Sequence, residues 1–404
     1  MCIIEENDGH DLLYKWRYAL LIANPFSPIF GGKPGIFFGR EDILQRFDLA
    51  MVDVGSDDRT LFVTGTRGSG KTALLEQISM RASGQKKTVI DLGPEDTLAQ
   101  LIHQLTDFDE TTTTIHPQAN VSFLGVGGGF NAGSIAKTKH IGRDRLQPLL
   151  LAACERAGHG LLITVDEVQK IPLDDMSAIC NAFQMASRKG YDILLAVAGL
   201  PFAYDRIISH EGCTYLRRAA HEELGLFTWE EASAALTSTF SGIRDLKITQ
   251  EQIDTLNQIS YGHPYLIQLL GYHLIAFINR SGSALPCEVT DEMIRHIIPL
   301  AQLSYEQRAL KPLLEELPET EKSYLRAMSA CLDEERLAAT SNIAAMLNKS
   351  QKSLSRTRAD LIKNGIIAAP EQGKVMFCIP YLSAYVLKEE TSSNVVDIAR
   401  KRRV

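Results

Sequence analysis

"FVTGTRGSGKTALLEQI", residues 62–78, joins three signals. An apolar run leads in. Gly65, Gly68 and Gly70 then fall within six residues, and a Lys-Thr pair is followed by apolar residues at helical spacing. This predicts a strand, a tight turn and a helix. Gly65-Thr66-Arg67-Gly68-Ser69-Gly70-Lys71-Thr72 fits GxxxxGK[ST] at every fixed position. Such glycines let backbone N–H groups turn inward, and the helix that follows presents its positive N-terminal end, so the group wanted there is a phosphate. Lys71 is expected to reach the β- and γ-phosphates and Thr72 to place its hydroxyl on Mg²⁺. The predicted nucleotide contacts are therefore Gly65, Thr66, Arg67, Gly68, Ser69, Gly70, Lys71, Thr72 and Ala73.

A phosphate loop needs a second, acidic strand end. "GLLITVDEVQ", residues 160–169, supplies one, with a continuous apolar or β-branched run into Asp166-Glu167. A central parallel strand is buried on both faces and reads in this way. Asp166 is expected to hold Mg²⁺ through water, and Glu167 to orient and deprotonate the attacking water. Between the two motifs, "KKTVIDL" (86–92) reads as a strand and "PEDTLAQLIHQLTDF" as a helix; after them come the helix "DDMSAICNAFQMASRKG" and the strand "YDILLAVAGLP". The alternation is βαβα, so the fold class is α/β with a parallel sheet. Segment 110–145 breaks it. "NVSFLGV" and "FNAGSIAKTK" are able to pair across "GGG", and the segment reads as a mobile insertion. Lys137, Lys139, Arg143 and Arg145 there read either as contacts to nucleic acid or a partner, or as a solvated face.

The chain has 404 residues, enough for two or three domains, and 45% hydrophobic residues, enough to give each a core. The longest apolar stretch, "YLIQLLGYHLIAFI", is interrupted by Gln, Gly and His and reads as a buried helix, so no membrane partner is expected. "MCIIEENDGHD" is acidic and lacks a basic leader region, which predicts a cytoplasmic protein. The seven cysteines are scattered with no CxxC pair, and read as reduced, mostly buried thiols. The net charge of −7 hides an asymmetry: from Lys349 to Val404 eleven Lys/Arg face five Asp/Glu, so this end carries +6 and the rest −13. A basic end on an acidic body points to a polyanion contact there.

That end has its own pattern. "LPETEKSYLRAMSACL" (317–332) and "TSNIAAML" (340–347) read as helices, "NKS" as a turn, and "QKSLSRTRADLIKNG" (351–365) as a longer helix ending on Gly365. "IIAAPEQGKVMFCIP" reads as a hairpin, and the whole as a winged helix-turn-helix. Leu354, Leu361 and Ile362 are expected to face inward. The candidate DNA-binding residues are Lys349, Lys352, Ser355, Arg356, Arg358 and, on the wing, Lys374. Winged helices also dock proteins, so an unidentified protein partner is the alternative.

With these motifs the chain resembles the AAA+ P-loop ATPases, and more narrowly the origin-recognition initiator branch with its bacterial relatives. The opening "NPFSPIFGGKPGIFFGRE" (24–41) is similar to the start of that group, and the resemblance runs through a helical lid and the winged helix. It implies that Phe38, Gly39, Arg40 and Glu41 fold over the adenine. It also implies an arginine reaching a neighbour's γ-phosphate in an oligomer formed on ATP binding; Arg217 or Arg218, before the last strand, is placed for that or is a solvated, ion-paired residue. Two positions depart from the family. The fourth strand ends in Ala198 and Gly199 where a polar residue is usual, and the lid reads "YGHPYL" with His263 and Pro264, which resembles the STAND ATPases. There His263 and Pro264 would contact nucleotide; on the residues alone they read equally as a helix start.

The expected organisation is a P-loop core over 1–226 carrying the 110–145 insertion, a helical lid over 227–305, a winged helix over 306–390 and a disordered basic tail over 391–404. The expected activity is slow ATP hydrolysis with Mg²⁺, nucleotide state controlling DNA binding. The alternative is a STAND-like switch that gates protein binding or assembly.

Overall fold

The computed structural model describes residues 21–29, 37–110, 143–281 and 285–389; the side chains of 108–110 are not among them. The expected hairpin of the 110–145 insertion, Lys137, Lys139, the tail 391–404 and part of the opening motif lie outside the described residues. Two compact units emerge. One comprises the described residues up to Gly39 with Leu226–Leu317; the other comprises Arg40–Gly225 with the residues from Pro318 on.

In the second unit, α1 (Glu41–Ala50) precedes β1 (Thr60–Gly65), α2 (Lys71–Gly84), β2 (Thr88–Leu92), α3 (Thr97–Glu110), α4 (Leu146–Arg156), β3 (Leu161–Val165), α5 (Leu173–Arg188), β4 (Ile193–Gly199), α6 (Pro201–Ile208) and β5 (Ala220–Leu224). The sheet order is β2-β3-β4-β1-β5 and every pairing is parallel. β1, β3 and β4 are buried along their whole length, as helices on both faces require. Phe62, Leu101, Leu150, Ile163, Phe183 and Leu195 belong to one continuous core. The strand order also brings the carboxyl ends of β1, β3 and β4 side by side, where an open α/β sheet binds its ligand.

The first unit is built on helices α7 (Trp229–Ser241), α8 (Gln250–Ser260), α9 (Pro264–Ser281), α10 (Asp291–Tyr305) and α11 (Lys311–Glu316), with a two-stranded pairing of β6 (Leu246–Lys247) and β7 (Cys287–Glu288). Capping boxes start α7 (Thr228 with Glu231) and α8 (Thr249 with Gln252). The strap 21–29 is fastened to this unit. The Ile22 N–H donates to Asn279 Oδ1 (2.8 Å) and the Ser27 N–H to Gln268 Oε1 (2.9 Å). Phe26 is buried against Phe240, 4.9 Å between ring centroids, and fills the space that a side chain at position 271 would need. The "NPF" of the opening motif is thus a packing element of the helical unit.

The C-terminal part of the second unit runs α12 (Glu319–Ala330), β8 (Leu337–Ala339), α13 (Thr340–Met346), α14 (Gln351–Lys363), β9 (Ile367–Ala368) and β10 (Lys374–Phe377). Its antiparallel sheet has the order β8-β10-β9. Ser350 caps α14 by accepting from the Ser353 N–H. The helix closes with a Schellman motif, the Ile366 N–H to Leu361 O (3.1 Å) and the Gly365 N–H to Ile362 O (2.9 Å), and Gly365 takes the left-handed φ of 67° that this needs. Leu354 and Leu361 face inward as expected, but Ile362 is exposed; Ile366 and Ile367, just past the helix, fill the core instead. Among the described residues, no helix is long and apolar enough to cross a membrane.

Candidate functional site

The loop between β1 and α2 turns through Gly68 (φ 78°) and Gly70 (φ 95°), which a side chain would strain, so that α2 starts with its N–H groups facing the turn. Lys71 opens α2 and is buried. Its ammonium folds back over the loop and donates to Gly65 O and Thr66 O, both at 2.9 Å. Thr72 donates to Asp166 Oδ2 at 2.6 Å, so the two motifs, far apart in sequence, meet through these side chains. The Glu167 N–H donates to Asp166 Oδ1 at 2.8 Å. Burial pushes the Asp166 carboxyl above its ordinary pKa, and the Thr72 and Glu167 bonds offset this only in part. Burial likewise lowers Lys71, against the pull of Glu167 and Asp166. Ser69 Oγ is buried without a hydrogen-bond partner among the described residues. A Cβ at Gly65 would meet that same oxygen at 2.5 Å, so the loop tolerates no side chain there. A concave turn of N–H groups, a buried cation, a free hydroxyl and a threonine–aspartate pair are a donor set that suits a Mg²⁺-bound polyphosphate.

Glu167 sits at φ 54°, in the left-handed region, where the chain swings off β3 into a one-turn helix. Its Oε2 accepts from Gln169 Nε2 (2.7 Å) and pairs with Lys170 Nζ (3.2 Å). Neither partner was among the expected site residues. The signal was visible in "DEVQK", an amide and an ammonium two and three residues after the acid, but strand patterning gives no way to tell that they turn back.

Elsewhere the expected residues are more scattered. Arg40 caps α1 at φ 67° and donates to Gly225 O, and Gly39 lies against the Phe227 ring. Arg217 and Arg218 are exposed at the end of the eight-residue 3-10 helix Glu211–Arg218 before β5, with Arg217 Nε donating to Ile208 O. Arg143 is exposed and paired with Asp174 and Asp175. In the helical unit His263 is buried, its ring edge-on to Tyr305 at 5.3 Å, and Pro264 begins α9. On α14, Lys352, Ser355 and Arg356 are exposed, and the Arg356 side chain is 94% accessible. Arg358 instead leans into a small crevice with Tyr324, Thr340 and Leu354. Lys349 is exposed on the preceding turn, and Lys374 pairs with Glu371 at the hairpin (3.4 Å). The far end of α14 meets the P-loop. A Cβ at Gly365 would touch Thr66 Cγ2 at 2.9 Å and Pro201 Cγ at 3.3 Å, and Lys363 pairs with Asp205 at 3.5 Å.

Residues 36–195 match the family model described as an AAA ATPase domain. The fold is that of the AAA+ ATPases. Residues 307–386 match a second model, a domain of unknown function (DUF8462). Among solved structures, the Aeropyrum pernix ORC2 protein in ADPNP–ADP complexes is similar over 87% of this chain and 94% of its own, at 13% identity and a TM-score of 0.58. Its ADP form covers 87% and 93%, at 13% identity and a TM-score of 0.50. Cdc6p from Pyrobaculum aerophilum covers 92% and 99%, at 14% identity and a TM-score of 0.48. A comparison with curated proteins finds no match. At these identities the likeness concerns the fold, and the chemistry rests on this chain's own residues.

Proposed function

We propose that the chain binds Mg²⁺·ATP at the P-loop, hydrolyses it slowly, and uses nucleotide state to control DNA binding by a C-terminal winged helix. The ORC2 likeness to a nucleotide-bound protein supports the first part. Lys71 would exchange its loop carbonyls for phosphate oxygens, and Thr72 with Asp166 would hold the metal. Mg²⁺, when bound, neutralises charge that develops on the transferred phosphoryl group. Glu167 takes the proton of the attacking water on its unengaged Oε1. Slow turnover is consistent with a β4 that ends in Ala198 and Gly199, with no polar side chain beside the attacking water. Arg217 and Arg218 are exposed, and either would act on a second copy. In that case mixing Arg217→Ala or Arg218→Ala chains with Lys71→Ala chains restores part of the activity.

The observation that carries the coupling is the contact between the turn ending α14 and Thr66. A change in the P-loop on binding phosphate is felt at the base of the same helix that presents Lys352, Ser355 and Arg356 to solvent. The test is the anisotropy of a labelled duplex at low salt, titrated with Glu167→Gln protein in Mg²⁺·ATP, in Mg²⁺·ADP and without nucleotide. Affinities are expected to differ by at least about 5-fold between states, the lower edge of ordinary coupling energies. Equal affinity in all three contradicts the coupling. No duplex affinity in any of them replaces DNA by a protein partner as the occupant of α14.

A further inference from the structure

The Gln169 side chain does more than flank the acid. Its Nε2 donates to Glu167 Oε2 at 2.7 Å while its Oε1 accepts from the Leu200 N–H at 3.1 Å. Leu200 is the residue that follows β4 and caps α6. One amide therefore ties the end of β3 to the end of β4 across the mouth of the site. Its own backbone is held in turn, since Arg206 Nη1 donates to Gln169 O at 2.6 Å. The space for this bridge exists because β4 ends in glycine: a Cβ at Gly199 would stand 2.7 Å from Val168 Cγ2 and 3.0 Å from Gln169 Oε1. A carboxylate side chain has several free torsions, and a left-handed backbone at Glu167 does nothing to fix them. Two donors on a single oxygen, Gln169 and Lys170, do fix them, and they leave Oε1 outside both bonds. Lys170 is half exposed and belongs to the same turn, so it contributes charge more than orientation. The amide, anchored at its far end to another strand, sets the direction.

We propose that Gln169 is a positioning residue for hydrolysis: it aims the Glu167 carboxylate from the end of β4, so that Oε1 faces the water whose proton it takes. This rests on the reading of Glu167 as the base. Misplacing a catalytic group by an ångström costs up to roughly 100-fold in rate without loosening substrate binding.

The experiment uses the full chain with four variants. Gln169→Leu removes both bonds. Gln169→Glu keeps the shape and the acceptor for Leu200 but loses the donor to Glu167. Glu167→Gln removes the base, and the fourth combines Glu167→Gln with Gln169→Leu. Steady-state ATPase kcat and KM, ATP affinity and thermal midpoint are measured for each. Both Gln169 variants are expected to lower kcat roughly 10- to 100-fold with KM and ATP affinity within about 2-fold of the parent. In the double variant the rate falls no further than in Glu167→Gln alone, because the amide has nothing left to aim. Parent-like kcat in Gln169→Leu, beside a dead Glu167→Gln, overturns the inference and leaves the base standing. Proportional loss of kcat, ATP affinity and thermal midpoint in both Gln169 variants also overturns it, in favour of a structural role. Parent-like turnover in Glu167→Gln overturns the base itself.

Discussion

The two ends of the one sheet treat buried charge in opposite ways. At the amino ends of the strands, Asp192 receives Arg59 on one oxygen and Lys87 on the other (2.6 Å for Lys87). Arg59 also donates to Ala50 O and Ile193 O, and Lys87 to His159 O. Burial alone would raise the Asp192 pKa, but the hydrogen bonds and charges of Lys87 and Arg59 overturn that and hold it below its ordinary value. At the carboxyl ends, Lys71 is buried and Asp166 half-buried, yet burial wins: the acid is pushed up and the base down. The first set of charges is satisfied within the protein. The second is shifted toward neutrality, and a ligand of opposite charge would reverse the shift. An ion cluster whose pKa values move toward greater charge is a structural device, and one whose values move toward neutrality is a candidate site.

The largest break in this contrast is at Glu167. Glu167→Gln is expected to lower the ATPase rate about 10²- to 10⁴-fold while ATP still binds, because the amide keeps the shape but accepts no proton. A single-turnover assay beside an ATP titration checks it. The next is at Asp192. Asp192→Asn leaves buried Lys87 and Arg59 without their anion and should cost about 2 kcal/mol in denaturant unfolding, reduced from a fully buried pair because Asp192 is one-third accessible. The sign with pH follows from the depressed native pKa. The Asp192 contribution is fully present above the unfolded carboxylate value and is lost as pH falls through the lower folded one, so parent and variant converge only in acid. Asp166→Asn sharpens the comparison from the other side. It removes a charge that burial disfavours, so stability without nucleotide should not fall as it does in Asp192→Asn. A smaller effect is expected on α14. Arg356→Ala should weaken a preferred duplex by about 1 kcal/mol more than random DNA, and Lys374→Ala should weaken both alike with a shallower salt slope.

Much of the P-loop end of the sheet was legible because its elements are runs with one reading. "TLFVTG" is β1, "LLITV" is β3 and "ILLAVAG" is β4, each a run of apolar, β-branched or small residues because each is covered on both faces. Strand order was not legible, since spacing along the chain does not say that β4 lies between β3 and β1. The left-handed turn at Glu167 was equally hidden: nothing local forces it on a glutamate, and without it Gln169 would not face back. Ile362 was misread for a geometric reason. It lies roughly 100° around the helix from Leu361, off a narrow seam set by Leu354 and Leu361, and the chain leaves the helix before another turn could bury it. The packing of the strap at Phe26 and the contact of Gly365 with Thr66 are long-range placements with no periodicity to announce them.

The most direct test of the contrast is calorimetric titration of Mg²⁺·ATP into Lys71→Ala and Asp192→Asn side by side, with each variant's unfolding free energy measured without nucleotide. Lys71→Ala should lose ATP affinity by roughly 100-fold or more, since it removes the buried charge that meets phosphate, and should keep parent stability. Asp192→Asn should bind ATP like the parent and unfold more easily. Parent-like ATP affinity in a folded Lys71→Ala chain would contradict the account.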